Sequence, residues 1–122
     1  MTSLLRISTL ITTLSFSGLA VATDVVHFEG KASNTLPEAV ANFSEYNDKL
    51  EAVMEGELTP EAMSEVHQLS YTLENAIAKM SKELDSLAET LEEVHLASES
   101  ADTETVSEQG AAYLETSREL VE

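Results

Sequence analysis

The sequence predicts an all-α protein, with antiparallel helical hairpins around one long central helix. Three observations carry that prediction. Apolar residues recur at steps of three and four over a long tract, helix-start signals stand at Thr35 and Thr59, and neither Gly nor Pro occurs between Glu61 and Gln109. Steps of three and four mark one face of a 3.6-residue helix. The chain has 122 residues, enough for one small domain.

The chain opens "MTSLLRISTLITTLSFSGLAVATD", with a lone Arg6, an uncharged stretch from Ile7 to Leu19, and small residues at Ala20 and Ala22. That order of parts predicts a secretory signal peptide cleaved near Ala22. A membrane anchor needs about 20 predominantly apolar residues, and here Ser8, Thr9, Thr12, Thr13, Ser15 and Ser17 interrupt the run. The expected mature chain is periplasmic or secreted, with no membrane attachment after cleavage. It has no Cys, which excludes a lipoprotein anchor, a disulfide and a thiol nucleophile.

Residues 23–35, "TDVVHFEGKASNT", have no helical period and predict an extended leader, with Val25, Val26 and Phe28 lying on the domain. The helical domain follows over residues 36–122. Thr35 with Glu38 three residues later forms a capping box that starts a helix at about 36–55. Along it Leu36, Val40, Phe43, Asn47, Leu50 and Met54 step by four and three, beside a second row of Ala39, Tyr46 and Val53. Gly56 supplies the stop.

Thr59 and Pro60 start the second helix, expected at about 60–99. Its seam runs Met63, Val66, Ser70, Leu73, Ile77, Met80, Leu84, Leu87, Leu91, Val94 and Ser98 without a slip, the heptad rule of left-handed helix packing. The third helix, about 103–121, is capped by Asp102 or Thr103 and presents Val106, Gly110, Tyr113, Ser117 and Leu120. A helical Gly costs about 1 kcal/mol against Ala, so Gly110 is expected where two backbones come close.

Folding back about residues 57 and 58 sets Ser70 across from Tyr46 or Asn47, so Asn47 and Ser70 are expected as a polar register pair in an apolar seam. Folding back about 101 and 102 brings the third helix along the second. Two helices at each level leave a wide apolar face partly wet. Either the long helix stays whole and dimerises, like a coiled coil, or it breaks near Ser81 and Lys82 into a four-helix up-and-down bundle.

The formal net charge is −17, with 23 acidic residues against 6 basic ones. Nucleic acid and anionic lipid surfaces are repelled by such a chain. A homo-oligomer or another protein is the expected partner, docked on the apolar members of the seam: Met63, Val66, Leu73, Ile77, Met80, Leu84, Leu87, Leu91 and Val94.

No catalytic or cofactor site is expected. The phrase "EVHQLS" at 65–70 returns as "EVHLAS" at 93–98, and His67 and His95 stand 28 residues apart. On one helix that is about 42 Å, too far to share an ion. Glu92 and His95 make the E-x-x-H spacing of di-iron bundles, but Ser64 occupies the matching place before His67. His67, Glu92 and His95 are thus the nearest approach to metal ligands, and no bound metal is predicted. Met54, Met63 and Met80 beside two histidines allow comparison with soluble b-type cytochromes, although Met on a core period usually fills gaps. Acid pairs without a pocket to raise one pKa do not indicate acid–base catalysis.

The stretches "ANFSEYNDKL", "LTPEAMSEVHQLSYTLENAIAKM" and "LEEVHLASE" resemble a family of short secreted helical proteins of proteobacteria carried as a domain of unknown function. The similarity spans about residues 25–121, with "SYTLENA" at 70–76 its most characteristic piece. The resemblance implies an exported helical protein and brings no catalytic residue. The expected function is that of an exported, non-enzymatic helical interaction protein; the alternative is a periplasmic carrier of haem or a divalent cation.

Overall fold

The computed structural model describes residues 28–121. Three helices follow one another, α1 (Leu36–Met54), α2 (Pro60–Glu99) and α3 (Thr103–Val121), and no strand occurs among the described residues. The signal-peptide expectation, its cleavage site at Ala20 and Ala22, and the leader residues Val25 and Val26 lie outside them. No helix among the described residues is long and apolar enough to cross a membrane.

Each helix starts where its cap dictates. The backbone N–H of Glu38 donates to Thr35 Oγ1 at 3.3 Å, while the Glu38 carboxylate accepts from the N–H groups of Asn34 at 2.8 Å and Thr35 at 3.3 Å. Donors left without a partner at the helix start are thereby satisfied. At α2 the N–H of Ala62 donates to Thr59 Oγ1 at 3.2 Å. At α3 Asp102 caps, accepting from the N–H of Thr105 at 3.1 Å and its hydroxyl at 2.8 Å. The bond from the Thr105 hydroxyl is the chief reason the Asp102 carboxyl lies below its usual pKa.

α2 runs unbroken through Ser81 and Lys82, so the break required by the four-helix alternative does not occur. Its end closes in a Schellman motif: Asp102 N–H donates to Ala97 O at 2.9 Å and Ala101 N–H to Ser98 O at 3.3 Å. That motif needs a left-handed residue, and Ala101 takes the position at φ 56°. Ala there carries a strain that Gly lacks, partly offset because Gly has more freedom to lose on folding. Ala101→Gly is therefore expected to stabilise the protein by about 0.5–1 kcal/mol. A denaturant midpoint that fails to rise would remove this account of the turn.

α1 and α3 each pack on α2 and share a much shorter contact with each other. Because α1 turns back at the start of α2 and α3 at its end, they cover successive halves of the long helix. The apolar core consists of Leu36, Ala39, Leu69, Leu73, Ala76, Leu87 and Ala97, joined by buried Asn42 and Thr72. α3 contributes no buried residue.

The buried face of α2 is turned from the heptad row expected for it. Leu73 and Leu87 are buried and Val66, Met80 and Val94 half-buried, but Met63, Ile77, Leu84 and Leu91 are about half exposed. The inner positions next to the first set are instead taken by Leu69, Ala76 and Ala97. Interaxial distance follows the size of the side chains at the contact, and Ala39 and Ala76, both fully buried, let α1 come close on that side. A related expectation fails at Gly110. A Cβ added there would meet nothing within 4 Å, so no backbone closes on the glycine.

Candidate functional site

Two surfaces of the helical hairpin differ in how they are finished. One is covered by the leader. Residues 28–34 form no helix or strand, yet their backbone is fastened by side chains from α1 and α2. Lys31 N–H donates to Thr72 Oγ1 at 2.9 Å. Asn75 Nδ2 donates to the carbonyls of Glu29 at 3.0 Å and Lys31 at 3.1 Å. Asn42 Nδ2, from α1, donates to Ala32 O at 3.1 Å and Ser33 Oγ at 3.0 Å. Asn42 and Thr72 are only 3 % and 1 % exposed, and buried polar groups are tolerated when their hydrogen bonds are made.

Gly30 allows this approach. Its φ is 71°, and an added Cβ would come within 2.7 Å of Thr72 N and 2.8 Å of Tyr71 C. The leader's backbone therefore lies directly on the backbone of α2. Phe28 ends the clasp against Tyr71, with ring centroids 6.0 Å apart, and Lys31 lies 3.7 Å from Glu45. Glu45 also accepts from Lys49 at 2.6 Å; that bond is the main cause holding the Glu45 carboxyl below its usual range and the Lys49 ammonium above its own.

The other surface is uncovered. Met63, Ile77, Leu84 and Leu91 stand along α2 about half exposed, and Phe43, Met54 and Leu114 are further exposed apolar side chains on α1 and α3. The expected register pair is placed without a mutual bond. Asn47 and Ser70 are both half-buried, and the Ser70 hydroxyl donates to Val66 O within its own helix at 2.8 Å. Serine commonly returns its hydroxyl to the carbonyl one turn back.

His67 and His95 lie on one unbroken helix, about 42 Å apart. His67 packs edge-on against Tyr71, with centroids 5.0 Å apart. The depression lined by His67, Ser70, Tyr71 and Glu74 holds about 100 Å³, the share of about three waters and far short of a haem. His95 faces Glu92 through Nδ1 at 3.5 Å and Glu99 through Nε2 at 3.2 Å. Those carboxylates sit at opposite ring nitrogens and do not converge with the imidazole on one point. No group of three His, Cys, Asp or Glu side chains suited to a metal ion occurs among the described residues.

The model of DUF6746, described as a family of unknown function, matches residues 1–122. The chain belongs to that family. No curated protein and no solved structure matches it. Membership in DUF6746 assigns no residue a role. "SYTLENA", the most characteristic stretch of the resemblance, supplies Tyr71, Thr72 and Asn75 to the clasp, and "ANFSEYNDKL" supplies Asn42 and Glu45. Gly30, Asn42, Thr72 and Asn75 were not legible as a unit from spacing. The available signal was two asparagines and a β-branched threonine inside helices they do not favour.

Proposed function

We propose that this is an exported, non-enzymatic interaction protein, periplasmic or secreted, whose working surface is the outer apolar row of α2. The observation that carries the reading is the contrast between the two surfaces: the leader finishes one, while Met63, Ile77, Leu84 and Leu91 stay half exposed along the other. Aligned apolar side chains on a strongly acidic chain mark a contact surface. The absence of any buried residue in α3 supports the same reading, since helices in proteins are held mainly by the apolar face they bury. Export is supported by the order of parts in residues 1–22, and a non-catalytic role by the solvated setting of the acidic side chains.

Native mass spectrometry of the protein taken gently from its source is expected to find it as an oligomer or with a bound protein. A strict monomer at every concentration, recovered with no partner, would sink the proposal.

A further inference from the structure

The interaction reading leaves the occupant of the seam open. Resting on that reading, we infer that the occupant is a second copy of this chain, paired antiparallel along α2 about a two-fold axis level with the peptide between Lys82 and Glu83.

The inference begins with five positions. Ile77, Ser81, Leu84, Ala88 and Leu91 follow one another at steps of four and three, and all five are exposed. None carries a charge, although the chain has 23 acidic residues. Large and small side chains alternate along this row, and facing layers interdigitate when large meets small. The antiparallel register does this at the four central layers, where Ile77 meets Ala88 of the second copy and Leu84 meets its Ser81, while Leu91 at each end of the row meets its Glu74.

Charge selects the same register. Along the outer flank of the seam run Tyr71, Ala78, Asp85 and Glu92. With the axis at residues 82 and 83, Asp85 lies across from Ala78 of the other copy and Glu92 across from Tyr71. Moving the pairing by one heptad toward the C-terminus places Asp85 against Asp85, and moving it the other way sets Leu84 against the charged Glu74. A parallel pair places Glu74 against Glu74 and leaves Ser81 against Ser81. Like charges brought together oppose association, so both alternatives are disfavoured.

Size sets the strength. The two copies of α2 overlap over residues 66–99, about 50 Å long and about 10 Å wide, which gives roughly 500 Å² per copy. That falls below the about 800 Å² per partner of a standard stable interface. The dimer is therefore weak, with Kd on the order of 10 µM. Each copy also carries a net charge of −17, so pairing tightens as salt shortens the screening length from about 30 Å at 0.01 M to about 3 Å at 1 M.

Sedimentation of the purified chain across this concentration range is expected to show a monomer–dimer equilibrium that strengthens with salt. Leu84→Asp is expected to weaken it at least tenfold with helical circular dichroism unchanged, since Leu84 is 51 % exposed in the single chain. The natural sequence has no Cys, so disulfide trapping reads orientation directly. An I77C chain mixed with an A88C chain is expected to give a mixed disulfide on oxidation, and I77C alone is not expected to cross-link. Self-linking of I77C, or a monomer that persists well above the expected Kd, overturns the antiparallel dimer. If that monomer instead holds another protein through a contact that Leu84→Asp abolishes, the dimer is wrong and the interaction reading stands. A monomer with no such contact ends both.

Discussion

Gly30→Ala is expected to destabilise the protein by about 2–4 kcal/mol. Two effects add. A non-glycine residue at positive φ costs about 1–2 kcal/mol, and Gly30 has φ 71°. The new Cβ would also stand 2.7 Å from Thr72 N, which belongs to the α2 backbone and cannot swing aside like a side-chain tip. The leader must lift, and its bonds to Thr72 and Asn75 lengthen or break. Each net hydrogen bond contributes about 1 kcal/mol, and more if a buried partner is left unsatisfied. At about 4–8 °C per kcal/mol for a domain of this size, Tm should fall by about 10 °C or more. Amide exchange separates loss of the clasp from global weakening: the Lys31 N–H, bonded to Thr72, should lose its protection in conditions where amides in the middle of α2 keep theirs. An unchanged Tm would mean that the clasp contributes nothing to stability.

The helices were legible because their signals are local. A capping box at Thr35 and Glu38, a Thr-Pro start at Thr59 and Pro60, and the lack of Gly or Pro through the middle of α2 act within one turn of the chain. Unslipped steps of three and four fitted a single long helix, and α2 is continuous. The side of that helix that faces inward was less legible. Hydrophobicity favours the large residues Met63, Ile77, Leu84 and Leu91, whereas close approach of α1 favours small ones such as Ala76. Periodicity finds a stripe but does not weigh bulk against proximity, so half of the expected seam is on the outside.

The clasp was hidden for a different reason. Its bonds join Glu29 and Lys31 to residues more than forty positions away, and no local pattern reports such pairings. Asn42 on α1, and Thr72 and Asn75 on α2, stand outside the apolar rows that periodicity picks out. Their unfavourable helix propensity is the one trace of a tertiary duty, because such residues lose less when the backbone they bond lies beside them. Ser70 returns its hydroxyl to Val66 O within its own helix, so its place in the seam needs no bond from Asn47.

Ala76→Leu is the second large effect, and it tests whether close approach explains the rotated face. Ala76 and Ala39 are both 0 % exposed, and folding back about residues 57 and 58 sets them at the same level of the hairpin. Three more carbons at residue 76 must either force α1 outward or drive neighbouring side chains from their rotamers. Overpacking of this kind costs about 1–3 kcal/mol, and separating α1 from α2 would also strain Asn42, which fastens the leader from the α1 side. A loss of about 3 kcal/mol is expected. Ala78→Leu adds the same group at an exposed position on the same helix and should change stability by less than about 0.5 kcal/mol. Equal effects at the two positions would show that small size at residue 76 is incidental, and that the inward face of α2 is set by something other than the approach of α1.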